Sequence, residues 1–455
     1  MSQKTEYSGE WWLPSSRDRR VTGRLDLNGS ILTLTLDGAL LSTGGEGEQD
    51  FPVIHGRDRG GSELTLLGAY SIRDWPIGDW YVVNDALVGR HLSPAETSFA
   101  ETSVVMDHLA DWIPASGLDI SRTPNAKAGE KGVEVSYTVQ APLEGRLTDG
   151  TDVRINSSPR IEYALGRGIT VGYGAGVRWE YRTPQTTREI VEHHVVPLQE
   201  LVAWAVQQPV TVAAAYLRVQ PDQEPLEWRR RWRKASKTDK EPPIGNIRFF
   251  ASDLAPTFAD GLERWLGLLN RSRDAVDLMV SLLFSEPEYV DTAVLLVAQS
   301  LEAYHRATLQ KELWPRATFE QRQEAVLAHF KNDEDRDLMK WLAELLEFAN
   351  EPTLAERLGD LHRKVEPVIG DLLALRPEWA DDVKKMRNRY THRGKQRRKY
   401  QPDELKEMAR LGRIVFDVCL MLDLGLSPDI CLQRAHQWSD YSFAMHDARK
   451  HRENS

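Results

Sequence analysis

Residues 247–269 read Ile247-Arg-Phe-Phe-Ala-Ser-Asp-Leu-Ala-Pro256-Thr-Phe-Ala-Asp-Gly-Leu262-Glu-Arg-Trp265-Leu266-Gly-Leu-Leu269, and across them the hydrophobic period changes. Before Pro256 apolar residues alternate, the repeat of a strand with one buried face; after it Leu262, Trp265, Leu266 and Leu269 follow helical spacing. Pro242-Pro243 and Ile247–Phe250 predict a last strand, and Ser252–Pro256 a crossover to helices. The reading is an α+β multidomain chain: an antiparallel β-sandwich or barrel-like domain over 1–252, then an all-α helical bundle over 253–455. A chain of 455 residues exceeds what one core usually supports, which agrees with two domains.

Upstream of the junction, Val21–Leu27 and Ile31–Leu36 alternate on either side of Asn28-Gly29, a dipeptide suited to a tight hairpin turn. Val133, Val135, Tyr137 and Val139 alternate with Glu134, Ser136 and Thr138. Further strands are expected at Leu64–Tyr70, Ser98–Asp107, Arg160–Leu165 and Val177–Tyr181, with one short helix at Leu198–Val206. Within 227–240, Trp228, Arg229, Arg230, Arg231, Trp232 and Arg233 read either as a basic aromatic surface for RNA or as a strand with arginines in water. The second is the commoner fate of a charge run. Downstream, Val294, Val297, Ala298 and Leu301 continue the helical period. Helices are also expected at Thr318–His329, Asp333–Phe348, Leu354–Val365, Trp379–Thr391 and Asp403–Leu424, about seven in all.

Composition is that of an ordinary globular protein, 41% hydrophobic and 28% charged, with a formal net charge of -10. Nucleic-acid contact is therefore expected only where Lys and Arg cluster. Two cysteines, Cys419 and Cys431, are too few for a disulfide framework or a four-cysteine zinc site. The polar stretch Met1–Trp12 lacks a signal peptide's apolar core, and no apolar run approaches the roughly 20 residues that span a bilayer. The reading is a cytoplasmic protein with no membrane anchor, no cofactor and no metal site.

Residues 384–399 carry dense positive charge and no carboxylate. They follow the predicted helix Trp379–Thr391, with Gly394 placed to cap it. Asn388 and His392 are four apart and share a helical face, with Arg387 at its flank. An imidazole can move the proton of a ribose 2′-OH or of a leaving 5′-oxygen, and a guanidinium matches phosphate geometry. Lys384, Lys385, Arg389, Arg393, Lys395, Arg397 and Arg398 would attract the RNA strand. Spacing alone does not identify an enzyme. Arg188 and His193 repeat it in a part read as β-rich, and a solvated basic helix end explains the charges equally well.

An Arg-Asn-x-x-x-His run ending a late helix of an all-α domain resembles the HEPN superfamily of ribonucleases. Leu301-Glu302-Ala303-Tyr304-His305-Arg306 looks like the Glu-bearing helix of ApeA-type HEPN domains. Gly9-Glu10-Trp11-Trp12-Leu13-Pro14 with Gly23-Arg24-Leu25 is similar to the N-terminal domain of the same proteins. The resemblance covers most of the chain, at both ends and in the right order. It implies an anti-phage abortive-infection effector: a HEPN endoribonuclease acting as a growth-arresting toxin under a β domain that senses a trigger, such as a phage-derived one, or restrains the nuclease. It carries the active site over to Arg387, Asn388 and His392. It also implies a homodimer or higher homo-oligomer through the HEPN domain, so that two motifs face one cleft.

Glu302 reads as a support for Arg387 or His392, or as an ordinary ion pair with Arg306, four residues on. Tyr304 and Tyr390 could stack a base, though core packing with a polar tip is commoner. Gly172–Gly176 follows a strand-like run with no helix after it, so it is read as backbone freedom between strands. His193-His194 lacks the further ligands of a metal site. Trp11 and Trp12 line either a recognition pocket or a core. The competing function is a helical module that binds RNA or a partner without cutting. Another is the toxin of a HEPN/nucleotidyltransferase pair, for which the chain supplies no transferase motif.

Overall fold

The computed structural model describes residues 5–27, 31–41, 50–71, 79–113, 118–123, 132–138, 141–164, 168–233, 244–254, 256–285, 287, 289–329, 336–391 and 400–453. Six strands, Glu6–Trp12 (β1), Val21–Asp26 (β2), Leu32–Leu36 (β3), Asp50–Asp58 (β4), Glu63–Ser71 (β5) and Asp79–Val88 (β6), run antiparallel in the order β6-β3-β2-β1-β4-β5. Because β5 also pairs with β6, the sheet closes on itself and has no free edge there. Of the two β architectures the strand pattern allowed, the barrel is the one formed. The alternation places Leu32, Leu34 and Leu36 inside, with Tyr7, Trp11, Leu25, Ile54, Leu66 and Tyr81 around them. Each such side chain contributes roughly 2 kcal/mol of burial. Gly9 is where β1 and β4 come closest; a methyl group there would overlap the Arg57 carbonyl and the Asp58 Cα. β2 and β3 pair as expected, while their Asn28-Gly29 turn lies outside the described residues.

β6 is a branch point. Its first half pairs with β3, and Asp85–Val88 pair with Leu226–Arg230 (β14). The sheet then continues through Val212–Arg218 (β13), Ser98–Met106 (β7), Gly168–Thr186 (β12), Asp152–Ala164 (β11) and Leu143–Arg146 (β10). Leu118–Thr123 (β8) and Gly132–Tyr137 (β9) make a separate two-stranded sheet. At the branch the buried Asp85 accepts from Trp228 Nε1 (2.7 Å), Arg230 Nη1 (3.0 Å) and Thr187 Oγ1 (2.8 Å). Trp228 and Arg230 are thereby structural. Arg231 and Arg233 are exposed, as the strand reading with arginines in water expected, and residues 234–240 lie outside the described residues.

Leu109–Trp112 (α1) is a single turn. Thr187–Ile190 (α2), a π-helical turn at Val191–Val195 and Val196–Val206 (α3) make one helical run. It starts well before the expected Leu198 because Thr186 and Glu189 form a capping box. Arg188 and His193 therefore stand on a helix, not in the β-rich stretch expected of them.

Phe258–Phe284 (α4) opens the helical region. Val290–Leu309 (α5), Arg316–His329 (α6), Arg336–Glu347 (α7), Leu354–Leu375 (α8), Trp379–Thr391 (α9) and Pro402–Asp423 (α10) follow. Pro428–Ala435 (α11) and Ser439–Glu453 (α12) were not expected, so nine helices are described where about seven were read. α8 continues past Val365 because Pro367 bends it without ending it, with Ile369 at φ -122°, ψ 28°. Gly412 lets α10 approach Val297 of α5. Two compact units result: Met1–Lys240 with Phe250–Ser252 and Pro256–Glu263, and Arg264–Ser455 with Glu241–Phe249 and Asp253–Ala255.

The last strand expected at Ile247–Phe250 does not form; a 3₁₀ turn at Ile244–Asn246 precedes a segment that joins no sheet. Arg248, within that segment, is only 1% exposed. Its Nε donates to Asp417 Oδ2 (2.7 Å), and Nη1 and Nη2 reach Asp440 at 3.0 and 2.5 Å. The segment is thus tied to helices of the second unit, not to a sheet.

Candidate active site

α9 is amphipathic. Trp379, Val383 and Met386 bury one face, and the remaining positions through Thr391 stay at or near the surface. Its start is fixed by the buried Arg376, which pairs with Glu378 (3.3 Å), Asp382 (3.1 Å) and Glu407, and by Trp379 Nε1 donating to His362 Nδ1 (3.0 Å). Asp381 and Asp382 in the first turn and Arg389 in the last complement the helix dipole.

At the last turn of α9, Arg387 lies across from α5. Its Nη2 is 3.5 Å from Glu302 Oε2, and its Nη1 donates to Asn388 Oδ1 (3.3 Å). The side chain is 28% exposed, and its Nε is buried without a partner among the described residues. The result is a partly exposed guanidinium beside a carboxylate, with the fork geometry that can also match phosphate oxygens. Glu302 lies beside both arginines named in its readings, since its other oxygen is 3.5 Å from Arg306 Nη2. Lys384 and Arg389 are half-buried and Lys385 is exposed, the last 3.7 Å from Asp382. His392, Arg393, Gly394, Lys395, Arg397 and Arg398 lie outside the described residues.

Most of the remaining candidates take structural roles. Tyr304 is buried; its hydroxyl bonds Asp423 and accepts from Lys364 Nζ (2.7 Å), and burial first, then Cys419 and Asp423, raises its pKa well above the ordinary value. Tyr390 is half-buried, its pKa raised by that burial and by Asp291. Trp11 and Trp12 are core residues. Gly174–Gly176 are strand residues of β12 paired to β11. His194 is buried against Tyr181, and its pKa falls to about 4 through burial. No group of three metal-binding side chains occurs among the described residues. Cys419 and Cys431 are buried free thiols whose pKa burial pushes up to about 12, the wrong direction for a nucleophile.

Sequence reasoning missed Glu351 and Arg357, which stand behind Arg306. Glu351 Oε2 accepts from Arg306 Nη2 (2.9 Å) and Arg357 Nη2 (2.6 Å). Nothing in their local spacing marks them, because the contacts join α5 to the α7–α8 connection.

A family model described as ApeA N-terminal domain 1 matches residues 6–265, more than half of the chain, and one described as Apea-like HEPN matches residues 295–430. The chain belongs to the ApeA-like HEPN family. No curated protein and no solved structure matches it. The HEPN match takes in Glu302, Arg306 and the whole of 384–399. Membership of the ApeA-like HEPN family points to an anti-phage nuclease effector. HEPN domains are usually ribonucleases, commonly act on RNA and often dimerise. Among the described residues, no helix is long and apolar enough to cross a membrane.

Proposed function

We propose that the chain is a metal-independent HEPN endoribonuclease. The ribose 2′-OH attacks the adjacent phosphorus, the bond to the 5′-oxygen breaks, and a 2′,3′-cyclic phosphate remains. His392 takes the 2′-OH proton or returns one to the leaving oxygen. Arg387 stabilises the charge growing on the equatorial oxygens, and Asn388 orients the imidazole or the phosphate. Lys384, Lys385, Arg389, Arg393, Lys395, Arg397 and Arg398 draw in the strand. The observation that supports this reading is the Arg387 guanidinium, aimed by Glu302 and Asn388 at the end of α9, five residues before His392.

One imidazole per protomer supplies either the acid or the base at a given moment. A homodimer with two motifs across one cleft supplies both. On this reading residues 1–252 regulate the nuclease and meet a phage-derived trigger, while 253–455 cut RNA as an abortive-infection toxin.

Matched RNA and DNA oligonucleotides incubated with the purified chain in EDTA test the mechanism. RNA alone should be cut, because DNA lacks the 2′-OH. Cleavage of both, or a requirement for added magnesium, would refute it. Sequencing of RNA ends after expression should show cuts with the wild type and none with Arg387→Ala. A binding module would instead keep its phenotype in His392→Ala.

A further inference from the structure

Glu302 is contested. Its Oε2 lies 3.5 Å from Arg387 Nη2 and its Oε1 3.5 Å from Arg306 Nη2, so two guanidiniums draw on one carboxylate. Arg306 has the more favourable covalent placement, on the same helix at i+4, the spacing and order in which a Glu–Arg pair forms most readily. It is also 57% exposed and free to swing. The same Nη2 of Arg306 is held at 2.9 Å by Glu351 Oε2, closer than it comes to Glu302.

Glu351 in turn does not move freely. Its Oε2 accepts from Arg357 Nη2 (2.6 Å), and Arg357 is 3% exposed. Arg357 is locked by Nε donating to the Pro352 carbonyl (3.0 Å) and by Nη1 lying 3.4 Å from His305 Nδ1. His305 Nε2 faces Asp360 Oδ2 at 2.9 Å. A guanidinium against Nδ1 requires that nitrogen to be the acceptor, so Nε2 carries the proton and the ring is neutral. The chain Asp360, His305, Arg357, Glu351, Arg306 thus runs from α8, through the buried His305 and Arg357, to the competitor of Arg387.

We propose that Glu351 is a positioning residue for the nuclease: it draws Arg306 away from Glu302, so that Glu302 is left to aim Arg387. The assignment rests on the ribonuclease reading above. Without the Glu351 carboxylate, Arg306 turns to Glu302, its other anionic partner among the described residues, and Arg387 loses its orientation. Removing Arg306 as well takes away the competitor and returns Glu302 to Arg387.

Turnover of an RNA oligonucleotide by the full chain tests this, with wild type, Glu351→Gln, Arg306→Gln and the double variant, alongside thermal melting. Glu351→Gln should lower kcat about fivefold at unchanged KM, the scale of one partly exposed ion pair. The double variant should return to within about twofold of wild type, and Arg306→Gln alone should run faster than wild type. A purely structural role for Glu351 gives no such rescue, because its loss would be additive with that of Arg306. Wild-type turnover by Glu351→Gln, or a double variant no faster than Glu351→Gln, overturns the assignment. Should Glu351→Gln fail to fold, Arg306→Gln decides: faster turnover upholds the assignment and slower turnover overturns it. A wild type that cuts no RNA overturns the nuclease reading itself.

Discussion

Arg387 and Asn388 were legible in the sequence because local spacing sets which side chains share a helix end. Local spacing says nothing of their aim: Glu302, singled out only through the family resemblance, reaches Arg387 from α5, 85 residues earlier in the chain. A fork of five donors meets phosphate and carboxylate together, where an ammonium offers a single point. Arg387→Lys should therefore lose about 100-fold in RNA turnover while melting within a few degrees of wild type, a comparison of kinetics and calorimetry on the same samples. His194 makes a different prediction. Burial holds its pKa at about 4 against an ordinary 6.5. In the window between those values the unfolded chain binds a proton that the folded chain refuses, so stability falls as pH drops through it. At pH 5 the penalty is about 2 kcal/mol. His194→Gln should flatten the loss of melting temperature between pH 7 and pH 5, and an unchanged slope would show that other groups carry it.

At the scale of elements, strands and helices followed their hydrophobic periods, and the departures have identifiable causes. Thr186 and Glu189 announced a helix start in the Thr-x-x-Glu spacing, a signal present in the sequence and passed over. The expected helix ended at Val365, yet packing of Val368, Ile369, Leu372 and Leu373 carries α8 through the bend at Pro367. α6 and α7 differ from the other helices of their unit, since neither has a buried residue among those described. Their base is closed by Asn350, whose Oδ1 accepts from the Trp314 N–H (2.9 Å) and whose Nδ2 donates to the Trp314 carbonyl (3.0 Å). Asn350→Ala should speed amide exchange in α6 and α7 severalfold and leave α10 unchanged. Equal protection in all three helices would show that the clamp is dispensable.

For the whole molecule, the family matches span both the barrel and the helices, but the junction between them was hard to read. Ile247–Phe250 alternates like a strand, and only the position of Asp417 and Asp440 explains why Arg248 is inside. A fragment beginning at 253 lacks Arg248 and so removes one member of the buried Arg248–Asp417 pair. A fragment beginning at 241 keeps the pair. Removing one member of a buried pair costs about 3–5 kcal/mol, so the longer fragment should melt well above the shorter one. Equal melting temperatures would assign the segment to neither. The proposed composite cleft makes its own demand on mass: light scattering should return at least twice the 51.8 kDa of one chain.

By itself the sequence determined the period of each element, the concentration of cations at 384–399 and the family to which its motifs belong. These depend on neighbours a few residues apart or on charge density along the chain. Closure of the barrel through β5 and β6, burial of Arg248 and the ion pairs that aim Arg387 were decided only by tertiary structure. Each joins groups from separate elements, and whether such groups meet depends on how whole helices and strands pack, which no local period records.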